Sequence, residues 1–364
     1  MAITATEAPI AHPLEEPLLK VRYRRQATII AVGGLVLLIA AFFGILVGTA
    51  GATVGQVFIA LGNQIRGVVP TDPGLAQLQA IIWELRVPRV AVAIFGGIAL
   101  AIAGTVFQGL LRNPLVSPYT LGIAPAAAFG ASVSVIVFGA NNGSSNATLV
   151  LGALLAAGLN TLIVLSLASR KNLDATTLIL IGIALTQLFG ALTAGIQYFA
   201  EDEVLAQIVR WTWGSVNNAV WYQVLVLAIV VGISYPYVQF RSGALNAIAF
   251  AGDDSARSLG VPVTRVRRQL IGIAAVLTGV TIAFTGIIGF VGLVGPHIAR
   301  LIIGANHRFL LPFSALIGAL LLVLGDIVGR TILDPAVIPV GIIDALIGAP
   351  IFIYLILTRK RVLS

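Results

Sequence analysis

Ten apolar runs recur along this chain, at residues 27–48, 90–111, 119–139, 147–169, 175–199, 221–240, 269–289, 292–303, 311–332 and 341–357. A helix crossing a hydrocarbon core of about 30 Å needs roughly 20 apolar residues, each rising about 1.5 Å. Nine of the runs lie near that length. The run at 292–303 is too short, and Gly289, Gly292, Gly295 and Pro296 crowd its start. That composition predicts a tilted or broken helix buried among others. Of the 364 residues, 58% are hydrophobic and 10% charged, whereas a water-soluble globule carries about a quarter charged. The expected fold is therefore an all-α, polytopic membrane protein of about ten transmembrane helices.

The formal net charge of +8 would suit nucleic acid only if the basic residues shared one accessible face. Here they punctuate apolar runs, so the partner they imply is a lipid bilayer and no nucleic acid. Cysteine is absent, which excludes disulfides and thiolate metal sites. The first 25 residues, with Glu15, Glu16, Lys20, Arg22, Arg24 and Arg25, lack an apolar centre and read as a polar tail rather than a cleavable signal. With the N-terminus inside, 17 of the 22 Lys and Arg face the cytoplasm, and Arg66, Arg86, Arg89, Arg210 and Arg330 face outward. An even number of spans then puts both termini in the cytoplasm. The resulting organisation is a tail at 1–26, a membrane domain at 27–357 and a tail at 358–364. All four Trp fall near the outer interface, residues 51–84 form an outer loop with one short helix, and 141–145 form a flexible outer turn. Gly44/Gly48 and Gly51/Gly55 have small-xxx-small spacing, read as ordinary membrane-helix composition rather than a specific dimer motif.

No G-x-x-x-x-G-K-[ST] stretch and no paired histidines with metal-ligand spacing occur, so the chain is read as no enzyme by itself and as binding no cofactor or metal. Intramembrane charge is the usual functional signal in such a chain. Asp326 and Arg330 are spaced i,i+4 and share a helix face, and Asp344 is close in depth to Arg330. The longest inner loop, 241–268, contains AGDDSARSLGV. Its acidic start suits a helix N-terminus, and Gly260 and Pro262 supply a stop and turn between two short helices. From these properties it is either a solvated connector or a handle through which another protein drives the membrane domain.

Ordered blocks from residue 84 to 357 carry more: LRVPR (85–89), QGLLRNPLVSPYTLGI (108–123), WTWGSV (211–216), LNAIAFAGDDSARSLGV (245–261), GFVGLVGPHIAR (289–300), NHRFLLP (306–312) and IPVGIIDALIGAPIF (338–352). With these blocks the chain closely resembles the FecCD permeases of ATP-binding-cassette (ABC) importers for iron-siderophores, haem and vitamin B12, whose fold is the type II importer permease. The resemblance implies that Gly252, Asp253, Asp254, Ser255, Ala256, Arg257, Ser258, Leu259 and Gly260 form the coupling helices that seat in a cytoplasmic ATPase. It implies that Arg86, Arg89 and Arg330 pair with glutamates of an extracytoplasmic substrate-binding protein. Asn113 and Leu115, with Ala175 and Thr176, match cytoplasmic gate residues. The implied partners are a second permease subunit, identical or paralogous, and two ATPases that hold ATP and Mg²⁺. The implied location is the bacterial cytoplasmic membrane. Two departures stand out. Ala124-Pro125-Ala126 replaces a segment that is commonly Ser/Asn-Gly in the family, and Asp344 replaces a frequent Thr, which raises the chance that Arg330 is paired internally.

The function expected is that of an importer permease for a metal chelate, with iron-siderophore ahead of haem and vitamin B12. The alternative is a secondary transporter or channel, which would need acidic or histidine relays deep in several spans.

Overall fold

The computed structural model describes residues 15–48, 51–138, 145–171 and 173–358. Most of the turn expected at 141–145, His12 and most of the C-terminal tail lie outside the described residues. Fifteen α-helices follow in order: α1 (Glu15–Leu46), α2 (Val54–Arg66), α3 (Pro73–Ala80), α4 (Val87–Leu111), α5 (Ile123–Phe138), α6 (Ser145–Ser169), α7 (Ala175–Phe199), α8 (Asp202–Thr212), α9 (Trp221–Phe240), α10 (Ser242–Asn246), α11 (Gly252–Ser258), α12 (Val263–Thr285), α13 (Val291–Ile303), α14 (His307–Thr331) and α15 (Val340–Thr358). Among the described residues seven helical stretches are long and apolar enough to cross a bilayer, and three shorter apolar helices, at Ile123–Phe138, Val291–Ile303 and Val340–Tyr354, match the remaining runs.

Helix α4 is the axis of the bundle, buried from Gly96 to Leu111 apart from the half-buried Ile98. Helices α14, α12, α13 and α9 pack directly on it, while α5 and α6 form a close pair. Glycine decides how near they come. Gly97 and Gly104 are seven residues apart, two helical turns, and so lie on one face of α4. Gly97 meets the backbone of Gly318 on α14, and Gly104 meets the backbone of Gly292 on α13. The outer surfaces of α1, α6, α7 and α9 expose Leu38, Leu155, Leu180 and Ile233. Apolar side chains at such density suit lipid or another apolar protein face rather than water.

Three boundaries differ from the sequence reading. The first helix begins at Glu15, inside the expected tail. Residues 51–84 hold two helices rather than one. Thr53 and Gln56 form a reciprocal capping box for α2, and Asp72 caps α3 ahead of Pro73. A π-helical turn, Ile81–Arg86, then carries the chain into α4. In the 241–268 loop, α11 is one short helix, but the expected second one is the beginning of α12. No stop signal separates Val263 from the following span.

The expected break occurs at 286–290. Gly286 and Phe290 adopt positive φ, +71° and +63°, and α13 has only 13 residues. Non-helical backbone at this depth survives only where protein meets its polar groups. The Tyr119 hydroxyl donates to the Ile288 carbonyl, and the Ser215 amide donates to the Thr285 carbonyl at 2.6 Å.

Candidate coupling and gating site

Two charged clusters stand at opposite ends of the bundle. At one end, α11 begins with Gly252, whose φ of +81° is open to glycine; a Cβ there would lie 3.0 Å from Arg112 Nη1. One side of the short helix faces inward: Gly252 and Ala256 are buried. The other side presents Asp254, Ser255, Arg257 and Ser258, followed by Leu259, 71% exposed, and Gly260. Ala256, expected on the surface that meets a partner, is fully withdrawn into its own chain. The reason is that the i,i+4 pair of small residues Gly252 and Ala256 is the apolar face on which α11 packs.

Asp253 spans the two sides. Both its carboxylate oxygens accept from Arg267, at 2.8 Å each, and this side-chain hydrogen bonding holds the carboxyl below the usual carboxylate range. Because the folded value is depressed, the pair's stabilisation is fully present above the unfolded value and is lost as pH falls through the folded one. Proteolytic nicking of the 252–262 segment should therefore stay flat from neutral pH down through the ordinary Asp range and rise only below it. An onset at the ordinary Asp value would contradict a depressed carboxyl.

Arg267 also donates to the carbonyls of Leu110 and Leu173, both at 3.0 Å. The segments expected to form the gate follow these acceptors in the chain. After Arg112, with φ of +50°, Asn113 accepts from the Leu115 amide through its Oδ1 at 2.9 Å, which leaves Leu115 half exposed. Asp174 caps α7 by accepting from the Thr177 amide at 3.1 Å, with Ala175 and Thr176 in the first turn. A cleft of about 600 Å³ brings Ala175, Thr176, Asp253, Asp254, Arg112 and Arg267 together. This cleft thus joins α11 directly to the start of α7, where Ala175 and Thr176 are the expected gate residues, and to Asn113 and Leu115 through their neighbour Arg112. Arg267 itself escaped the sequence reading. Its signal was weak: one of three arginines in the first turns of an apolar helix.

At the opposite end Arg86, Arg89 and Arg330 do converge, yet all three turn inward. Arg86 donates to the carbonyls of Ile45 and Leu46 at 3.0 and 2.9 Å, and Arg330 to those of Gly44 and Val47 at 2.9 Å. Together they satisfy the last carbonyls of α1, groups that a helix leaves without intrahelical donors. Gly48 makes room, since a Cβ there would come within 2.8 Å of Arg86. Asp326 binds Arg89 at 2.7 Å and Arg330 at 3.2 Å, with side-chain exposures of 13%, 8% and 3% for Arg89, Arg330 and Asp326. The expectation that these guanidiniums stand free at a rim is corrected accordingly. Asp344 pairs with neither. It sits against Gly325, and its Oδ2 has no hydrogen-bond partner. The Trp83 and Trp221 rings meet at a tilt of 37° with centroids 4.6 Å apart, and the Trp221 indole donates to the Trp83 carbonyl. Among the described residues no group of three or more His, Cys, Asp or Glu is arranged to hold a metal ion.

This architecture is that of a helical transport subunit, and comparison with known proteins defines which. The profile of the FecCD transport family matches residues 19–358. The chain belongs to the FecCD transport family. The vitamin B12 import system permease BtuC of Vibrio cholerae is 38% identical over 278 residues, 76% of this chain and 83% of the relative. The Fe(3+)-citrate import system permease YfmE of Bacillus subtilis is 36% identical over 331 residues, 90% of this chain and 96% of the relative. A solved structure, described as an inward-facing conformation of a metal-chelate type ABC transporter, superposes with a TM-score of 0.80 at 32% identity, covering 92% of this chain and all of the other. The protein is an ABC importer permease of the FecCD family, and its two charged clusters can be considered in that light.

Proposed function

We propose that this FecCD permease imports a metal chelate, with an iron-siderophore as cargo, and that ATP bound with Mg²⁺ on two separate ATPase subunits drives it. The observation that carries the reading is the coupling helix: α11 presents an exposed Leu259 and an acidic start, yet its buried side is tied to the gate segments. Such a device has a use only if something outside the chain pushes it. Coupling is then a difference in interaction energy between two states of the pathway. A second permease subunit, identical or paralogous, encloses the pathway with this one. The end bearing α11 and most basic loop residues faces the cytoplasm of a bacterial cell, as do both termini.

At the outer end a substrate-binding protein delivers the cargo. In the resting state Arg86, Arg89 and Arg330 hold the platform on which it docks, and their reversal weakens docking by disturbing that platform. The names of the B12 and Fe(3+)-citrate relatives support a chelated metal as the cargo class.

The deciding experiment is uptake by the intact complex in proteoliposomes, with ⁵⁵Fe-loaded hydroxamate siderophore, haemin and labelled cyanocobalamin as probes. The expected result is uptake of the ferric chelate only with ATP and Mg²⁺ on the ATPase side. Uptake driven by a proton gradient without ATP would favour a secondary transporter, and uptake of cyanocobalamin or haemin alone would reassign the cargo. In the same assay Leu259→Glu should preserve membrane insertion while lowering uptake and stimulated ATP hydrolysis at least about tenfold, equivalent to about 1.4 kcal/mol, because it forces a charge into an apolar contact. Full uptake in that variant would end the role of α11.

A further inference from the structure

Arg267 is 1% exposed, and among the described residues it is the largest side chain fully withdrawn from solvent. A buried guanidinium is costly unless its donors are met. Its two terminal nitrogens make four hydrogen bonds while its Nε is left without a partner, and the acceptors come from three segments: both oxygens of Asp253 on α11, the Leu110 carbonyl in the last turn of α4, and the Leu173 carbonyl just before α7. Leu110 lies three residues before Asn113, and Leu173 two residues before Ala175. One rigid, planar group therefore holds the coupling helix and the roots of both gate segments at once. Asp253 remains 29% exposed on the cleft side, so the pair stands between the outward face of α11 and the interior.

We propose that Arg267 is a positioning residue for coupling, which passes displacement of α11 to both gate segments through its bidentate pair with Asp253. The inference rests on the importer reading above. A link that only anchored the loop would need Asp253 alone. The two carbonyl acceptors mean that α11 cannot shift beyond hydrogen-bond tolerance without drawing on Leu110 and Leu173 or breaking their bonds. Lysine cannot replace this. It keeps the charge but offers a compact ammonium in place of a fork that matches a carboxylate.

The test uses the native complex, purified through a tag on this chain, with a single cysteine introduced as Leu115→Cys or Thr176→Cys into a chain that has none of its own. Both positions are exposed. Labelling of this chain by a soluble maleimide is measured with and without ATP-Mg²⁺, and the change is expressed per ATP hydrolysed. Arg267→Lys should lower that ratio at both positions by about fivefold or more, the low end of an allosteric coupling. A ratio within about twofold of the parent at either position would overturn the proposal, since a purely structural arginine has no reason to move it. Should Arg267→Lys fail to assemble, Asp253→Asn decides by the same criterion, because it keeps the side chain's shape while it removes the charge and turns one of the two acceptor oxygens into a donor. A parent complex whose labelling ignores nucleotide at both positions would overturn the importer reading itself, and with it this one; a parent that responds while both variants respond equally would overturn only the role of Arg267.

Discussion

Replacing Asp326 by alanine is expected to cost the folded protein about 3–5 kcal/mol, because it leaves two buried cations without their counter-charge. The carboxylate is 3% exposed and holds Arg89 and Arg330 from opposite sides. Neither guanidinium can relax into water: Arg330 is committed to the end of α1, and Arg89 lies on the central helix. Thermal unfolding of the detergent-solubilised protein measures the loss. Removing one cation in that background, as Arg89→Met/Asp326→Ala, should recover part of it, since contacting residues are not additive. An unchanged unfolding midpoint in Asp326→Ala would mean that water reaches the cluster and the burial argument fails. Under the docking proposed above, a separate measurement of binding-protein affinity in Asp326→Ala should also show a loss, because α1 loosens.

The second large effect is expected at Gly104. A Cβ there would fall inside the carbonyl oxygen of Gly292, backbone against backbone, so no side-chain rotation relieves the overlap. Gly104→Ala should force α4 and α13 apart and cost at least about 1–3 kcal/mol, the usual range for overpacking. Gly158→Ala is the matched control, since nothing lies within 4 Å of its added carbon. In helix α6 that change should be neutral or stabilise by about 0.4–1 kcal/mol, because glycine is the poorer helix former. Equal unfolding midpoints for the two variants would contradict the close crossing.

Arg86, Arg89 and Arg330 show where local sequence signals stop. Their departure from the positive-inside trend marks them as special, and the LRVPR block marks their place in a family. Neither says which way the side chains turn. Arg330 is 283 residues away from its acceptor Val47, and Arg86 is 41 away from Ile45. No local rule could anticipate that the last carbonyls of α1 would be waiting there. The outer helices α2 and α3 are a different kind of miss. Their signals, Thr53-x-x-Gln56 and Asp72-Pro73, are local and were legible as capping motifs.

What the sequence determined by itself was whatever depends on local composition. Length and apolarity located the apolar helices, seven of them among the described residues long enough to span and three shorter, the run at 292–303 was legible as too short for an ordinary span, and ordered motifs identified the family. Hydrophobic length and backbone freedom are properties of a few neighbouring residues, so the chain carries them wherever it folds. Tertiary structure alone decided that Ala256 is buried, that Asp326 serves two arginines and leaves Asp344 aside, and that Arg267 ties α11 to Leu110 and Leu173. Each of these depends on which donors and acceptors meet after helices pack, and the cost of an unmet buried charge is settled only when distant segments arrive.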